Sequence, residues 1–109
     1  MKPVVFLGDS VARLRAFPDG PRRDAGFQLD RVQRGLDPDS WKPMQSIGQG
    51  VREIRVRDSA GAFRVIYVAA FAEAVYVLHA FQKKTSRTSA RDVALATSRY
   101  RELKRSIRP

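Results

Sequence analysis

Hydrophobic and polar positions follow two periods along the chain. The densest pattern is Val51 to Lys84, VREIRVRDSAGAFRVIYVAAFAEAVYVLHAFQKK. Val51 to Arg57 alternates strictly, with Ile54 and Val56 on one face and Glu53, Arg55 and Arg57 on the other. That is the period of a β-strand. Asp58-Ser59-Ala60-Gly61 is a hairpin turn. Ala62 to Ala70 follows, apolar on both faces except at Arg64, and after a short turn at Ala72-Glu73 comes Ala74 to Phe81, again nearly all apolar. Strands apolar on both faces are central in a sheet or covered on both sides. Three such strands joined by short turns predict an antiparallel meander.

The N-terminal half predicts cover for that sheet. Pro3 to Leu7 is a short apolar strand that joins it. Gly8-Asp9-Ser10 supplies an N-cap for a short helix, Val11 to Phe17, which Pro18 ends. A second helix starts at Asp19-Gly20-Pro21, with Asp19 as its cap and Pro21 in the first turn. Its stripe is Ala25, Leu29 and Val32, with Leu36 just beyond, and Gly35 terminates it. Asp37 to Gly50 holds Pro38, Pro43, Gly48 and Gly50 and is expected to be a loop. Trp41, Met44 and Ile47 pin that loop to the core, although Trp41 is also open to a stacking role. After a polar loop, Thr85 to Thr88, Ser89 and Asp92 form a capping-box pair at the start of the last helix. Val93, Ala96, Tyr100, Leu103 and Ile107 make its apolar stripe, opposite Arg91, Arg99, Arg101, Lys104, Arg105 and Arg108. The order is β-α-α-β-β-β-α. The class is α+β, and residues 1–109 are expected to form one domain.

Charge changes the picture more than composition does. Among 109 residues, 21 Lys and Arg face 11 Asp and Glu, a net charge of +10. Residues 1–50 carry a net +2, residues 51–81 a net +1 and residues 82–109 a net +7. The excess therefore begins at Lys83-Lys84. A local excess of this size points to an anionic partner. Arginine predominates, which favours planar phosphate or carboxylate contacts. No run approaches the roughly 18 apolar residues of a membrane span, and PVVFL is too short for a secretion-signal core, so no membrane partner is expected. The chain has no cysteine. That fits a reducing, cytoplasmic setting.

The same counts narrow the chemistry. With one histidine and no cysteine, a Cys-His pair, a Ser-His-Asp triad and a His-rich metal site are set aside, and no metal or cofactor is expected. Neither a phosphate loop nor a dinucleotide fingerprint is present. The carboxylates are scattered through turns and helix starts. His79 lies inside an apolar strand, as a hydrogen-bonded core histidine or as a site residue. What remains is a set of cations. Arg55 and Arg57 share a strand face, Arg64 lies on the next strand, and Lys83 and Lys84 lie just past the third. Strands pack about 4.8 Å apart, so these ends can converge on one patch. Such a patch would hold a phosphodiester and stabilise a pentavalent phosphorane. A lysine with a lowered pKa could move the proton. The alternative is a phosphate-binding or acidic-partner surface without chemistry.

GVREIRV, AFRVIYV and VLHAFQKKT, followed by a capped helix, resemble the RelE/HigB-type toxins of bacterial toxin–antitoxin systems, and among them the phage-derived branch. FPDGPRRDAG and the WKPM loop extend the resemblance over nearly the whole chain. It implies a small curved antiparallel sheet flanked by helices. It also implies a metal-independent endoribonuclease that cuts translated mRNA on the ribosome, neutralised by a helix-turn-helix antitoxin. By position, Arg64 would contact the scissile phosphate, and Arg55, Lys83 and Lys84 would complete the catalytic set. Arg57, Arg87, Arg91 and Arg99 would bind RNA, with strong salt dependence. Phe63 stands where the family often has tyrosine, and the chain ends SIRP without the tyrosine or histidine some relatives place there. The same superfamily includes ParE-type gyrase inhibitors, so a non-nuclease toxin or an inactive prophage-derived module are the alternatives.

Overall fold

The computed structural model describes residues 1–107. Its elements are β1 (Val4–Phe6), α1 (Ser10–Arg15), α2 (Asp19–Gln33), β2 (Trp41–Pro43), β3 (Val51–Asp58), β4 (Gly61–Val68), β5 (Val75–Lys83) and α3 (Ala90–Ile107). The fold is α+β. One five-stranded sheet has the order β1-β5-β4-β3-β2. The meander β3-β4-β5 is antiparallel, as its alternation predicts. β1 does join the sheet, but parallel to β5, which makes the sheet mixed.

Two features differ from the sequence expectation. The stretch 37–50 is not all loop, because Trp41, Lys42 and Pro43 pair with Ile54, Glu53 and Arg52 as an edge strand. Three residues are too few to show a period, and Pro43 is tolerated there because an edge strand need not use every N–H. Asp9 does occupy the N-cap of α1 but makes no side-chain capping hydrogen bond, and the N-cap of α2 is Pro18, not Asp19. Asp19 lies within the first turn of α2 and pairs with Arg22 at 2.8 Å, and the Asp9 carboxylate reaches Arg13 and Arg99. The other caps follow their signals. The Asp92 N–H donates to Ser89 Oγ at 3.1 Å. At Gly35, with φ of +83°, Gly35 N–H donates to Val32 O and Leu36 N–H to Arg31 O, a Schellman ending. Leu36 itself leaves the stripe and is 50% exposed.

Cores lie on both sides of the sheet. α1 and α2 cover one face, where Leu14, Phe17, Ala25, Leu29 and Val32 meet Ile54, Val56, Phe63, Val65, Tyr67, Val75, Val77 and Ala80. α3 covers the other, where Ala96, Tyr100 and Leu103 meet Val51, Ile66, Val68, Tyr76 and Leu78. Met44 and Ile47 pack into this second core, which is how the loop before β3 is anchored. A register shift in β5 leaves Leu78 as an extra residue, since Tyr67 pairs with Val77 and Ile66 with His79. The bulge swaps the facing of every β5 residue beyond it. Arg108, expected on the polar face of α3, lies outside the described residues.

Candidate active site

The register brings the cations together. Arg55 pairs with Arg64 and Arg64 with Phe81, while Arg57 pairs with Ala62 and Ala62 with Lys83. Directly opposed residues share a face, so Glu53, Arg55, Arg57, Arg64 and Lys83 all lie on the α3 side. The bulge decides which lysine joins them. Counting strict alternation from Val75 would send Lys84 to that face, whereas the extra residue sends Lys83. Lys83 is also the last residue of β5 and not a loop residue.

Glu53 is the centre of the group and is 0% exposed. Thr88 Oγ1, from the loop before α3, donates to its Oε2 at 2.7 Å. Its Oε1 faces Arg64 Nε at 3.5 Å and Lys42 Nζ at 3.9 Å. The Arg64 contact is an ion pair too long for a hydrogen bond, and neither atom makes a hydrogen bond elsewhere. Arg64 is 2% exposed and donates through Nη1 to Phe63 O at 2.9 Å. Burial lowers its pKa, Glu53 opposes this, and Arg55 and Arg57 add to it. Arg55 and Arg57 are exposed. These three arginines line one wall of a cleft of about 340 Å³, and Asp24, Gln28, Asp39 and Ser40 line the rest. Gln28 Nε2 bridges Asp24 Oδ1 and Asp39 Oδ2 at 3.0 and 2.9 Å, which fixes that second wall.

Lys83 is half-buried on the same sheet face as Arg55, Arg57 and Arg64. Desolvation lowers its pKa most. Arg64 lowers it next, Glu53 raises it, and Lys42 and Arg55 lower it further. An ammonium so placed releases its proton more readily than a free lysine does.

The other expected site residues are elsewhere. Lys84 is exposed and lines a different groove, with Phe17, Phe63 and Gln82. Arg87 and Arg91 are exposed, in the loop and at the start of α3. Arg99 is held as a latch, with Nη2 on Asp9 Oδ1 at 2.6 Å and Nη1 on Leu78 O at 2.8 Å. Its guanidinium lies against Gly8, at φ of +55°, where a Cβ would collide with it. Two arginines hold the Asp9 carboxylate down at about 2. His79 is a buried core residue whose Nε2 meets Asp92 Oδ1 at 2.7 Å, and its ring stacks on Phe81 at 5.0 Å.

Three members of the group carry no role in the sequence reading: Glu53, Lys42 and Thr88. Glu53 had a signal, because strict alternation already puts it on the face of Arg55 and Arg57. Lys42 and Thr88 had none, since one lies on a three-residue strand and the other in a loop.

The phage derived protein Gp49-like (DUF891) family matches residues 12–101, from α1 through most of α3. The chain belongs to the Gp49-like family. This is a type II toxin family related to RelE and HigB, and membership implies an antitoxin partner. No curated protein matches the chain. The match takes in every residue of the Glu53 cluster, so the charged face is part of the Gp49-like region. Among the described residues, no helix is long and apolar enough to cross a membrane.

Proposed function

We propose that this Gp49-like protein is the toxin of a toxin–antitoxin pair and that it cuts mRNA on the ribosome, with side-chain cations supplying the charge and no metal ion. The reaction is attack of a ribose 2′-hydroxyl on its own phosphodiester. The 2′-hydroxyl proton passes to water as the P–O5′ bond breaks, leaving a 2′,3′-cyclic phosphate and a 5′-hydroxyl. Arg55 and Arg57, exposed on the cleft wall, hold the phosphate and stabilise the charge that grows on its oxygens. Lys83 gives its proton to the departing 5′-oxygen. Arg64 adds positive charge from beneath and is too buried to touch RNA in this conformation. Lys84 is left outside the chemistry.

The observation that carries this reading is the position of Lys83. A half-buried lysine, its proton loosened first by desolvation and then by Arg64, Lys42 and Arg55, shares a sheet face with the arginines that line the cleft. A surface built only to attract anions would gain nothing from that loosening. Perturbed titratable groups beside a cleft mark functional sites.

The test is to induce the protein in cells and map transcript ends, for wild type, Arg55→Ala and Lys83→Ala. The expected result is new ends within translated messages for wild type, with both variants losing them while melting at the wild-type temperature. Intact transcripts on induction would overturn the reading, and DNA breaks in their place would redirect it to gyrase.

A further inference from the structure

Glu53 has no place in that scheme, yet it is the most buried charged side chain of the face. Removing a carboxylate from water costs several kcal/mol unless its partners repay it. An apolar residue at that position of β3 would avoid the cost. The partners come from three segments that each contribute to the site. Arg64 Nε comes from β4 at 3.5 Å, Lys42 Nζ from β2 at 3.9 Å and Thr88 Oγ1 from the loop into α3 at 2.7 Å. Only the Thr88 contact is a close hydrogen bond. The geometry therefore resembles a mount for movable cations more than a locked structural pair.

We propose that Glu53 is the positioning residue of this site: its carboxylate aims the Arg64 guanidinium at the cleft and ties the loop that follows Lys83 to the sheet. The proposal rests on the nuclease reading and adds a role within it. The charged groups around Lys83 are Arg64 on β4, Glu53 and Arg55 on β3, and Lys42 on β2. Glu53 is the one anion among them, and it keeps the proton on Lys83 until the 5′-oxygen needs it.

Glu53→Gln, made in the full chain, separates this role from a structural one. The first readout is the titration of the Lys83 side chain by NMR without RNA, and the second is the pH profile of cleavage of ribosome-bound message. The proposal expects Lys83 to titrate at lower pH in Glu53→Gln. The alkaline limb of the cleavage profile should move down with it, and the rate at neutral pH should fall about 100-fold, the size expected when a catalytic constellation is displaced by about 1 Å. Thr88→Val keeps the charge and removes only the tie, so its rate falls while its alkaline limb stays at the wild-type pH. If Glu53→Gln leaves the Lys83 titration unmoved, the proposal is wrong. It is equally wrong if the variants only melt earlier and cut at the wild-type rate per folded molecule. Should Glu53→Gln not fold, Thr88→Val decides: a wild-type rate overturns the proposal and a reduced rate with an unmoved limb supports it. A wild-type protein that cuts nothing would sink the nuclease reading alone, because the Lys83 titration still reports on Glu53.

Discussion

On the face under α1 and α2, the middle of the sheet is apolar along its whole length, from Val75 and Tyr67 through Ile54, Val65 and Ala80 to Val56 and Phe63. On the face under α3, Val51, Ile66, Val68 and Leu78 fill only one half. The other half holds Glu53, Arg55, Arg57, Arg64 and Lys83. Both faces are covered, and both bury side chains completely. The first does so with groups that gain from leaving water. The second buries a carboxylate and a guanidinium, which lose by it unless they are paired. Stability alone accounts for the first face. It does not account for the second, and a chain that keeps a costly arrangement beside an open cleft is using it for something other than folding.

The largest effect should come from breaking the costly pair. Arg64→Ala leaves Glu53 buried without its guanidinium, a loss of about 3–5 kcal/mol, read as a lower urea midpoint at pH 7. The same principle predicts a rescue. Arg64→Met with Glu53→Leu fills the volume with apolar groups and should regain most of that stability. It should restore no cleavage. Recovery of both together would mean that the pair is structural and that the two faces differ only in composition.

The apolar face should behave in the opposite way. Ile54 is 0% exposed and lies between β2 and β4 under α2. Ile54→Ala should cost about 3 kcal/mol and leave the cleavage rate per folded molecule unchanged. A changed rate would show that repacking under α2 is transmitted to the cleft through its Asp24–Gln28–Asp39 wall.

Much of this division was readable before the structure. Alternation in VREIRVR separates Ile54 and Val56 from Glu53, Arg55 and Arg57, and β4 and β5, apolar on both sides, require two covered faces. Three things were not readable. β2 is too short to show a period, so Lys42 had no place on the sheet. The loop into α3 crosses to Glu53 through one hydroxyl, and no local pattern encodes such a path. The bulge at Leu78 changes parity without changing composition, so Lys83 and Lys84 look equivalent in sequence although only Lys83 faces Arg64. Of the two α3 arginines that sequence placed toward RNA, Arg91 stays exposed, whereas Arg99 is consumed by Asp9 and the Leu78 carbonyl, because a helix packed on a sheet face buries part of its polar side as well.

The smallest expected effect lies away from the cleft, and it is a pH dependence. Burial lowers the His79 pKa from its ordinary 6.5, Asp92 opposes this, and Arg99 and Arg13 add to it. A folded pKa below the unfolded one means the unfolded chain binds the proton first. The His79 contribution is therefore complete above pH 6.5 and is lost as pH falls from there through the folded value. Asp9 has the same sign in a lower window. Its folded value of about 2, against 3.8 unfolded, gives stability that is present above 3.8 and lost as pH falls through about 2. Urea midpoints measured from pH 8 to pH 2 should then decline in two steps. His79→Phe should remove the upper step and keep the lower, and Arg99→Ala should diminish the lower one. Cleavage per folded molecule should follow neither step, since neither His79 nor Asp9 lines the cleft and their partners are Asp92, Arg13 and Arg99. An upper step that moved cleavage as well would place His79 in the site and erase the boundary between a face that folds the protein and a face that works.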